Sequence, residues 1–259
     1  MPPTADFSDF PDVRRPDAAT VLVSPWLVPA ARFQQPAADA VLDAWEHQPR
    51  PDAMLALATF LSTDGSHVLN YAQWTDDEAH REWVRTRRPA AIDPIDEAVP
   101  GIRRPGPTRY RHYRSHVPED PAAPRPAFVT TPAFATTGPD TQRALADTLI
   151  DLLDRARVPG LLGAHFHLAP DGSRVLNFGA WADASAFRSF RTGETAERLA
   201  AAIADLPGVT VVPAVPTVPV GHPAANDPAR PAADGPAVPP AACYRPYRTL
   251  VNVRSPQAR

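Results

Sequence analysis

The sequence predicts an α+β fold made of two tandem ferredoxin-like repeats, each ordered βαββαβ, that form one α+β barrel within the chain. The main observation is an internal repeat, in which residues 53–74, AMLALATFLSTDGSHVLNYAQW, share their plan with residues 160–181, GLLGAHFHLAPDGSRVLNFGAW. The offset, 160 minus 53, is 107 residues. A second observation is that strand-like and helix-like segments surround each repeated stretch in the same order. One such unit leaves a sheet face bare, and a linked second unit can cover it.

The elements that precede each repeated stretch are a strand and a helix. Residues 20–28, TVLVSPWLV, favour a strand that is broken or bulged at Pro25, because proline cannot donate to the ladder. The second copy has a similar run with Pro132 at the same offset. Apolar side chains at helical spacing then predict a helix over residues 35–47 and another over residues 141–156.

Each repeated stretch predicts a β-hairpin with a glycine in its turn. In the second copy, Ala169-Pro170-Asp171-Gly172 suits a type I turn, with proline at the first corner. A three-residue loop pairs Ala169 with Ser173 and puts His165 opposite Asn177, whereas a loop of two or four residues shifts the pairing by one. We therefore expect His165 to lie beside Asn177.

A helix and a closing strand follow each hairpin. Asp76 and Asp183 can cap the helices, and residues 110–117 and 244–251 resemble each other as closing strands. Their offset is 244 minus 110, or 134, so the second copy carries an insertion of 134 minus 107, or 27 residues. This proline-rich insertion, residues 213–240, is expected to be an irregular flap near the second copy's pocket. The predicted domains are a mobile N-terminal arm (1–18), repeat 1 (19–117), a linker (118–125) and repeat 2 (126–253).

Composition excludes several classes of function. The net charge is -3, which gives no reason to expect nucleic acid or an anionic membrane as a partner. The chain contains no lysine, which excludes Schiff-base lysine chemistry, and its single cysteine, Cys243, cannot form an intrachain disulfide. The sequence shows no signal-peptide core and no long apolar run, so a cytoplasmic location is expected.

Both copies end the third strand with Asn-x-x-x-Trp, within VLNYAQW followed by DDEAH and within VLNFGAW followed by DASAF. With the order βαββαβ, these motifs make the chain resemble the antibiotic biosynthesis monooxygenase family of dimeric α+β barrel proteins. Small members of that family, the anthrone monooxygenases, oxidise aromatic polyketides. The fused two-copy length also resembles the ring-opening oxygenases of angucycline pathways.

The resemblance implies an oxygenase that acts on a polycyclic aromatic polyketide of the anthrone or angucycline type. Oxidative C–C bond cleavage with ring opening is one expected reaction. The family resemblance also implies no metal and no tightly bound cofactor. Either reduced flavin (FADH2 or FMNH2), delivered by a flavin reductase, or a hydroquinone substrate would then react with O2. The sequence leaves open whether the protein forms a homodimer.

Transferred residue by residue, the family's pocket residues fall on Asn177 and Trp181, for which we expect catalytic roles. His165 is a candidate for the initiating proton transfer, because the unperturbed pKa of histidine lies near neutrality. His165 and His167 share a strand face as metal ligands do, but the sequence supplies no third ligand, so no metal site is expected. The residues expected to bind substrate are His167, Phe166, Phe187, Asn70 and Trp74.

The two copies are not expected to be equivalent. In the predicted register Ala58 lies opposite Asn70, and Phe60 replaces His167, so only the second copy keeps polar groups around its asparagine. We therefore expect the second copy to hold the working site. A second function class stays open, in which the same barrel is a non-redox polyketide cyclase or an aromatic-ligand-binding protein.

Overall fold

The computed structural model describes residues 4–120, 122–213, 215 and 242–253. Within these residues the chain forms six α-helices and an 11-stranded sheet. The first half contains β1 (Thr4–Ser8), β2 (Thr20–Leu27), a 3₁₀ turn (Ala31–Phe33), α1 (Gln34–His47), β3 (Met54–Ser62), β4 (His67–Trp74), α2 (Asp77–Thr86), α3 (Arg88–Ala98) and β5 (Thr108–His116). The second half contains β6 (Phe128–Thr131), β7 (Ala133–Thr136), α4 (Pro139–Arg155), β8 (Leu161–Leu168), β9 (Arg174–Trp181), α5 (Ala184–Arg191), α6 (Glu194–Ala204), β10 (Val209–Val212) and β11 (Ala242–Val253).

Eight of the strands close into an antiparallel barrel. Around the barrel the order is β11, β3, β4, β2, β5, β8, β9 and β6, and β6 pairs again with β11. Closure removes the exposed strand edges that an open sheet would leave. The two halves meet where β5 pairs with β8 and where β11 pairs with β3. The predicted closure of one barrel within the chain is therefore confirmed.

Successive side chains along each strand point alternately into the barrel and toward the helices. This alternation produces three hydrophobic cores, one inside the barrel and one under the helices of each half. Strand β4 shows the rule, because Leu69 and Tyr71 pack inside the barrel whereas Val68 and Trp74 pack against the helices of the first half. In β9, Phe178 packs inside the barrel and Trp181 packs against the helices of the second half. Each half thus places a helix-covered layer on the outer face of the barrel.

The predicted caps are confirmed. Asp76 Oδ1 accepts a hydrogen bond from the backbone N–H of Ala79 at 2.7 Å and begins α2. Asp183 Oδ1 accepts from the backbone N–H groups of Ser185 at 2.7 Å and Ala186 at 2.9 Å and begins α5. These side chains satisfy amides that have no partner within the helix, so both helices start at a fixed distance from the end of the preceding strand.

The N-terminal segment contains regular structure, unlike the predicted arm. Strand β1 pairs with β11 along Thr4–Ser8. Further along, the Phe10 ring lies inside the barrel, with ring centroids 6.1 Å from Phe60 and 5.9 Å from Phe178. The sequence signal was weak because the segment is short and rich in Pro and Asp, whereas its order comes from partners distant in sequence. The segment therefore closes part of the barrel interior.

Two further expectations need correction. Strand β2 runs unbroken through Pro25, which pairs with Leu69, whereas the second copy is divided at Pro132 into β6 and β7. The repeat also changes offset. Trp74 pairs with Thr20 and Trp181 pairs with Phe128, so the first strands differ by 128 minus 20, or 108 residues.

The first helices share this offset of 108. Gln34 Nε2 donates to the carbonyl of His67, and Gln142 Nε2 donates to that of Arg174, each at 2.8 Å; 142 minus 34 is 108. The second copy is therefore one residue shorter between its first helix and its hairpin. Apart from residues 213 and 215, the predicted insertion 213–240 lies outside the described residues. Among the helices in the described part of the chain, none is long and apolar enough to cross a membrane.

Candidate active site

The hairpin of the second copy has a different register from the predicted one. The backbone N–H of Ala169 donates to the carbonyl of Arg174 at 2.9 Å, which leaves a loop of four residues, 170–173. Phe166 consequently lies opposite Asn177, and His165 lies opposite Phe178. The pairing of His165 with Asn177 was wrong by one residue, and that shift moves a side chain to the other face of the sheet.

The corrected register places both histidines of β8 inside the barrel. His167 Nε2 lies 3.0 Å from the hydroxyl of Tyr71, and His165 Nδ1 lies 2.8 Å from Oγ of Ser115. Burial, with a smaller contribution from the neighbouring His112, lowers the pKa of each imidazole to about 3. Both rings are therefore neutral at neutral pH. Both histidines lie on the opposite face of the sheet from Asn177. They are therefore not placed to exchange a proton with a ligand bound beside that asparagine.

The second copy has a small pocket between its sheet and its helices, with a volume of about 80 Å³. Asn177 is the one polar side chain on its wall, and its Oδ1 is buried without a hydrogen-bond partner among the described residues. The indole N–H of Trp181 is already used, because it donates to Oγ1 of Thr130 at 3.1 Å. The other lining residues are Pro132, Phe134, Leu149, Leu153, Phe166, Phe190, Ala196, Leu199, Ala200 and Ile203.

Trp181 packs beside this pocket. Its ring centroid lies 5.2 Å from that of Phe187 and 5.1 Å from that of Phe190. Of the residues expected to bind substrate here, Phe166 lines the pocket and Phe187 packs against Trp181. The pocket is almost wholly apolar, so it offers little to hold a charge.

The first copy has a larger pocket in the corresponding place, with a volume of about 110 Å³. Both of its predicted residues, Asn70 and Trp74, line this pocket. Trp45 and Trp83 stack with their ring centroids 4.4 Å apart, and Trp45 lies edge-on to Trp74 at 6.0 Å. With Trp26, four indoles form the walls, a surface suited to a flat aromatic ring.

Asn70 and Trp74 each present an unused polar atom. Asn70 Nδ2 donates to the carbonyl of Ser24 at 3.4 Å, while its Oδ1 is buried and has no partner among the described residues. The indole N–H of Trp74 likewise has no partner in the described part of the chain. In the second copy the acceptor is Thr130, and its equivalent in the first copy, at 130 minus 108, is Leu22. A leucine side chain cannot accept a hydrogen bond, so the Trp74 N–H has no acceptor there.

His80 is another polar residue that lines the first pocket. It lies on α2, and its ring is edge-on to Trp74 with centroids 5.1 Å apart. Burial lowers the pKa of His80 to about 4, and the charge of Arg109 adds to this. Arg109 Nη2 donates to Nδ1 of His80 at 3.3 Å, and arginine cannot accept, so this hydrogen bond assigns the neutral ring's proton to Nε2. At neutral pH His80 is therefore a hydrogen-bond donor.

Arg104 also lines this pocket. Its guanidinium lies over the Trp26 ring, 4.7 Å from the centroid, and its Nη1 donates to Asp96 Oδ1 at 2.7 Å. The side chain is 11% exposed. Its Nε and Nη2 atoms are buried and have no partner among the described residues.

The second copy keeps the asparagine and the tryptophan, as Asn177 and Trp181, but has apolar residues at the other positions. At the offsets that the structure sets, the equivalents of His80, Trp83 and Arg104 are Phe187, Phe190 and Val211. Those of Trp26 and Trp45 are Phe134 and Leu153. The sequence argument missed His80, Trp45, Trp83 and Arg104 because it looked for polar partners on the neighbouring strand. A residue-by-residue comparison of the helices of the two copies would have found three of them, Trp45, His80 and Trp83.

The described residues contain no group of three or more His, Cys, Asp or Glu side chains arranged to hold a metal ion.

The structure thus combines a closed α+β barrel, a helix-covered aromatic pocket and Asn-x-x-x-Trp on the pocket wall. This chain has partial sequence similarity to a monooxygenase, which supports the predicted resemblance. It is 32% identical to tetracenomycin-F1 monooxygenase from Streptomyces glaucescens over 69 residues, which are 26% of this chain and 62% of that enzyme. The match thus spans less than two thirds of the relative.

Solved structures show the same fold. An anthrone oxidase-like protein superposes with a TM-score of 0.62 at 13% identity, covering 94% of this chain and 98% of the other. A candidate monooxygenase from Fusobacterium nucleatum superposes with a TM-score of 0.50 at 10% identity, covering 75% of this chain and 90% of the other. At these identities the similarity concerns the fold alone. No protein-family profile matches the sequence.

Proposed function

We propose that this protein is a monooxygenase of polycyclic aromatic polyketides and that the pocket of the first copy is its active site. One observation carries the proposal. Asn70, Trp74 and His80 share a tryptophan-walled pocket, and Asn70 Oδ1 is buried on its wall without a hydrogen-bond partner among the described residues. Buried polar atoms are normally satisfied, so unsatisfied ones on a pocket wall indicate a ligand that completes them. The similarity to tetracenomycin-F1 monooxygenase supports the reaction type.

The proposed chemistry begins with a substrate that can reduce oxygen. Ground-state O2 is a triplet and reacts slowly with closed-shell molecules, whereas the anion of an anthrone or polyphenol can give up an electron. In the overall reaction an anthrone methylene group and O2 yield a quinone carbonyl and water, which balances the atoms. The protein must bind the flat ring, stabilise its negative oxygen and exclude water.

The residues of the first pocket suit this task. The Trp74 indole and the neutral His80 ring each offer an N–H to the substrate oxygen that becomes negative, and Asn70 Oδ1 can accept a hydroxyl of the ring. With a pKa of about 4, His80 is a weak base, so it would promote ionisation of the substrate by stabilising the anion. This assignment moves the site from the second copy, where sequence comparison had placed it, to the first.

Three finer points belong to the same proposal. The sheet orders β3-β4-β2-β5 and β8-β9-β6-β11 match each other, which supports an origin in two fused ferredoxin-like repeats. The fused length supports C–C bond cleavage with ring opening as an extension of the reaction. Reduced flavin or a hydroquinone substrate would supply the electrons that such a reaction needs beyond those of an anthrone.

Oxygen consumption tests the proposal. Purified protein should consume one O2 per 1,8-dihydroxyanthrone oxidised, at a rate well above autoxidation, and assays with and without reduced FMN would show whether flavin is needed. Addition of EDTA tests the expectation that no metal takes part. Tight binding of the anthrone without accelerated oxygen uptake would instead favour the cyclase or ligand-binding alternative.

A further inference from the structure

Arg104 has a pair of buried N–H donors that the fold itself does not use. The contacts that hold the side chain are the stack on Trp26 and the hydrogen bond from Nη1 to Asp96. They occupy one face of the guanidinium and one of its terminal nitrogens. Nε and Nη2 have no partner among the described residues, although both atoms are buried.

The position of these two nitrogens suggests what they bind. Nε and Nη2 share one edge of the planar guanidinium, so their N–H bonds form a fork that fits two neighbouring oxygen atoms. Such two-point pairing is typical of arginine with a carboxylate and is stronger than a bond between neutral groups. Burying charged N–H donors without acceptors costs free energy. A bound anion would supply the acceptors and remove that cost.

A purely structural role does not account for the fork. The stack on Trp26 and the bond to Asp96 would hold Arg104 in place whether or not its other edge were satisfied. In the part of the chain that the structure describes, no acidic side chain lines the pocket, whereas Arg88 and Arg104 both line it. The second copy, whose pocket has no tryptophan among its described lining residues, has Val211 at the equivalent position.

We propose that the substrate of the first pocket is an anionic aromatic compound that presents two oxygens to Nε and Nη2 of Arg104. The two oxygens share a negative charge and belong either to a carboxylate or to a phenolate and a ketone on adjacent ring positions. Arg104 is then a specificity-determining residue, which selects charged ring systems over neutral ones. This inference rests on the proposed function, because it names the substrate class of the same pocket.

Anaerobic binding tests the inference without any turnover. Isothermal titration of the wild-type protein would compare three probes: anthraquinone-2-carboxylate, its neutral carboxamide and 1-hydroxyanthraquinone, whose phenol would lose its proton on binding beside Arg104. We expect the carboxylate or the hydroxyquinone to bind about tenfold or more tightly than the carboxamide, and the better of the two identifies the source of the oxygen pair. Equal affinity for all three probes would overturn the proposal, and this comparison needs no variant.

Two variants separate the fork from simple charge. Arg104→Lys keeps the charge but loses the fork, so it should lower the affinity for the preferred anion about tenfold or more and leave carboxamide binding within about twofold. Arg81→Met, at an exposed arginine paired with Asp77, is the matched control and should change neither affinity. An Arg104→Lys protein that kept the full preference for the anion would contradict the proposal. A protein that prefers the anion but consumes no oxygen would refute the oxygenase function and leave this inference standing.

Discussion

Acidification should destabilise the fold through the two histidines buried inside the barrel. The pKa of His165 and His167 is about 3 in the folded protein and 6.5 in the reference state. Because the unfolded chain binds protons more readily, stability is greatest above about pH 6.5 and falls as the pH decreases toward 3. At pH 5, which is 1.5 pH units below the unfolded pKa, each neutral ring lowers the free energy of unfolding by about 2 kcal/mol, at about 1.36 kcal/mol per pH unit. The two rings together lower it by about 4 kcal/mol.

Urea denaturation at pH 7 and pH 5 measures this cost. His167→Gln should reduce the difference in unfolding free energy between the two pH values by about 2 kcal/mol, because glutamine keeps a polar side chain but cannot be protonated. His47→Gln, at an exposed histidine on the last turn of α1, is the control and should leave the difference close to that of the wild type. If His167→Gln also left it unchanged, the placement of His167 inside the barrel, and with it the corrected hairpin register, would be wrong.

Two further predictions concern the donors of the first pocket. His80→Phe introduces the residue that the second copy has at this position. It should lower kcat in steady-state oxygen uptake about 10²-fold and change KM little, as expected for a donor to a developing oxyanion. A rise in KM with kcat unchanged would contradict this role. Leu22→Thr offers Trp74 the acceptor that Thr130 gives Trp181 and should lower kcat about tenfold. The matched change Thr130→Leu should leave kcat unaltered, and equal effects of the two would show that the Trp74 N–H has no special role.

The sequence predicted the element order well because that information is local. The Asp-Gly-Ser turns, the caps Asp76 and Asp183 and the period of the apolar side chains each need only a short window of chain. Closure of the barrel was also predictable, since the bare sheet face of one copy demands a second. Strand β1 was missed because its partner β11 lies at the other end of the chain.

The candidate site was harder to predict because one residue of register decides it. A loop of four residues instead of three carried His165 and His167 into the barrel interior and away from Asn177. The residues that distinguish the copies, such as His80 and Arg104, come from a helix and a loop that contribute nothing to the strand pattern. Their proximity to Asn70 is a tertiary contact that sequence spacing does not reveal.

Single-turnover oxygen consumption by two matched variants tests the choice of active site most directly. Asn70→Ala removes a side chain whose Oδ1 has no partner among the described residues, so it should cost little stability while lowering the rate at least about tenfold. Asn177→Ala makes the same change in the apolar pocket of the second copy and should leave the rate within about twofold. A loss confined to Asn177→Ala would place the active site in the second copy, contrary to our assignment.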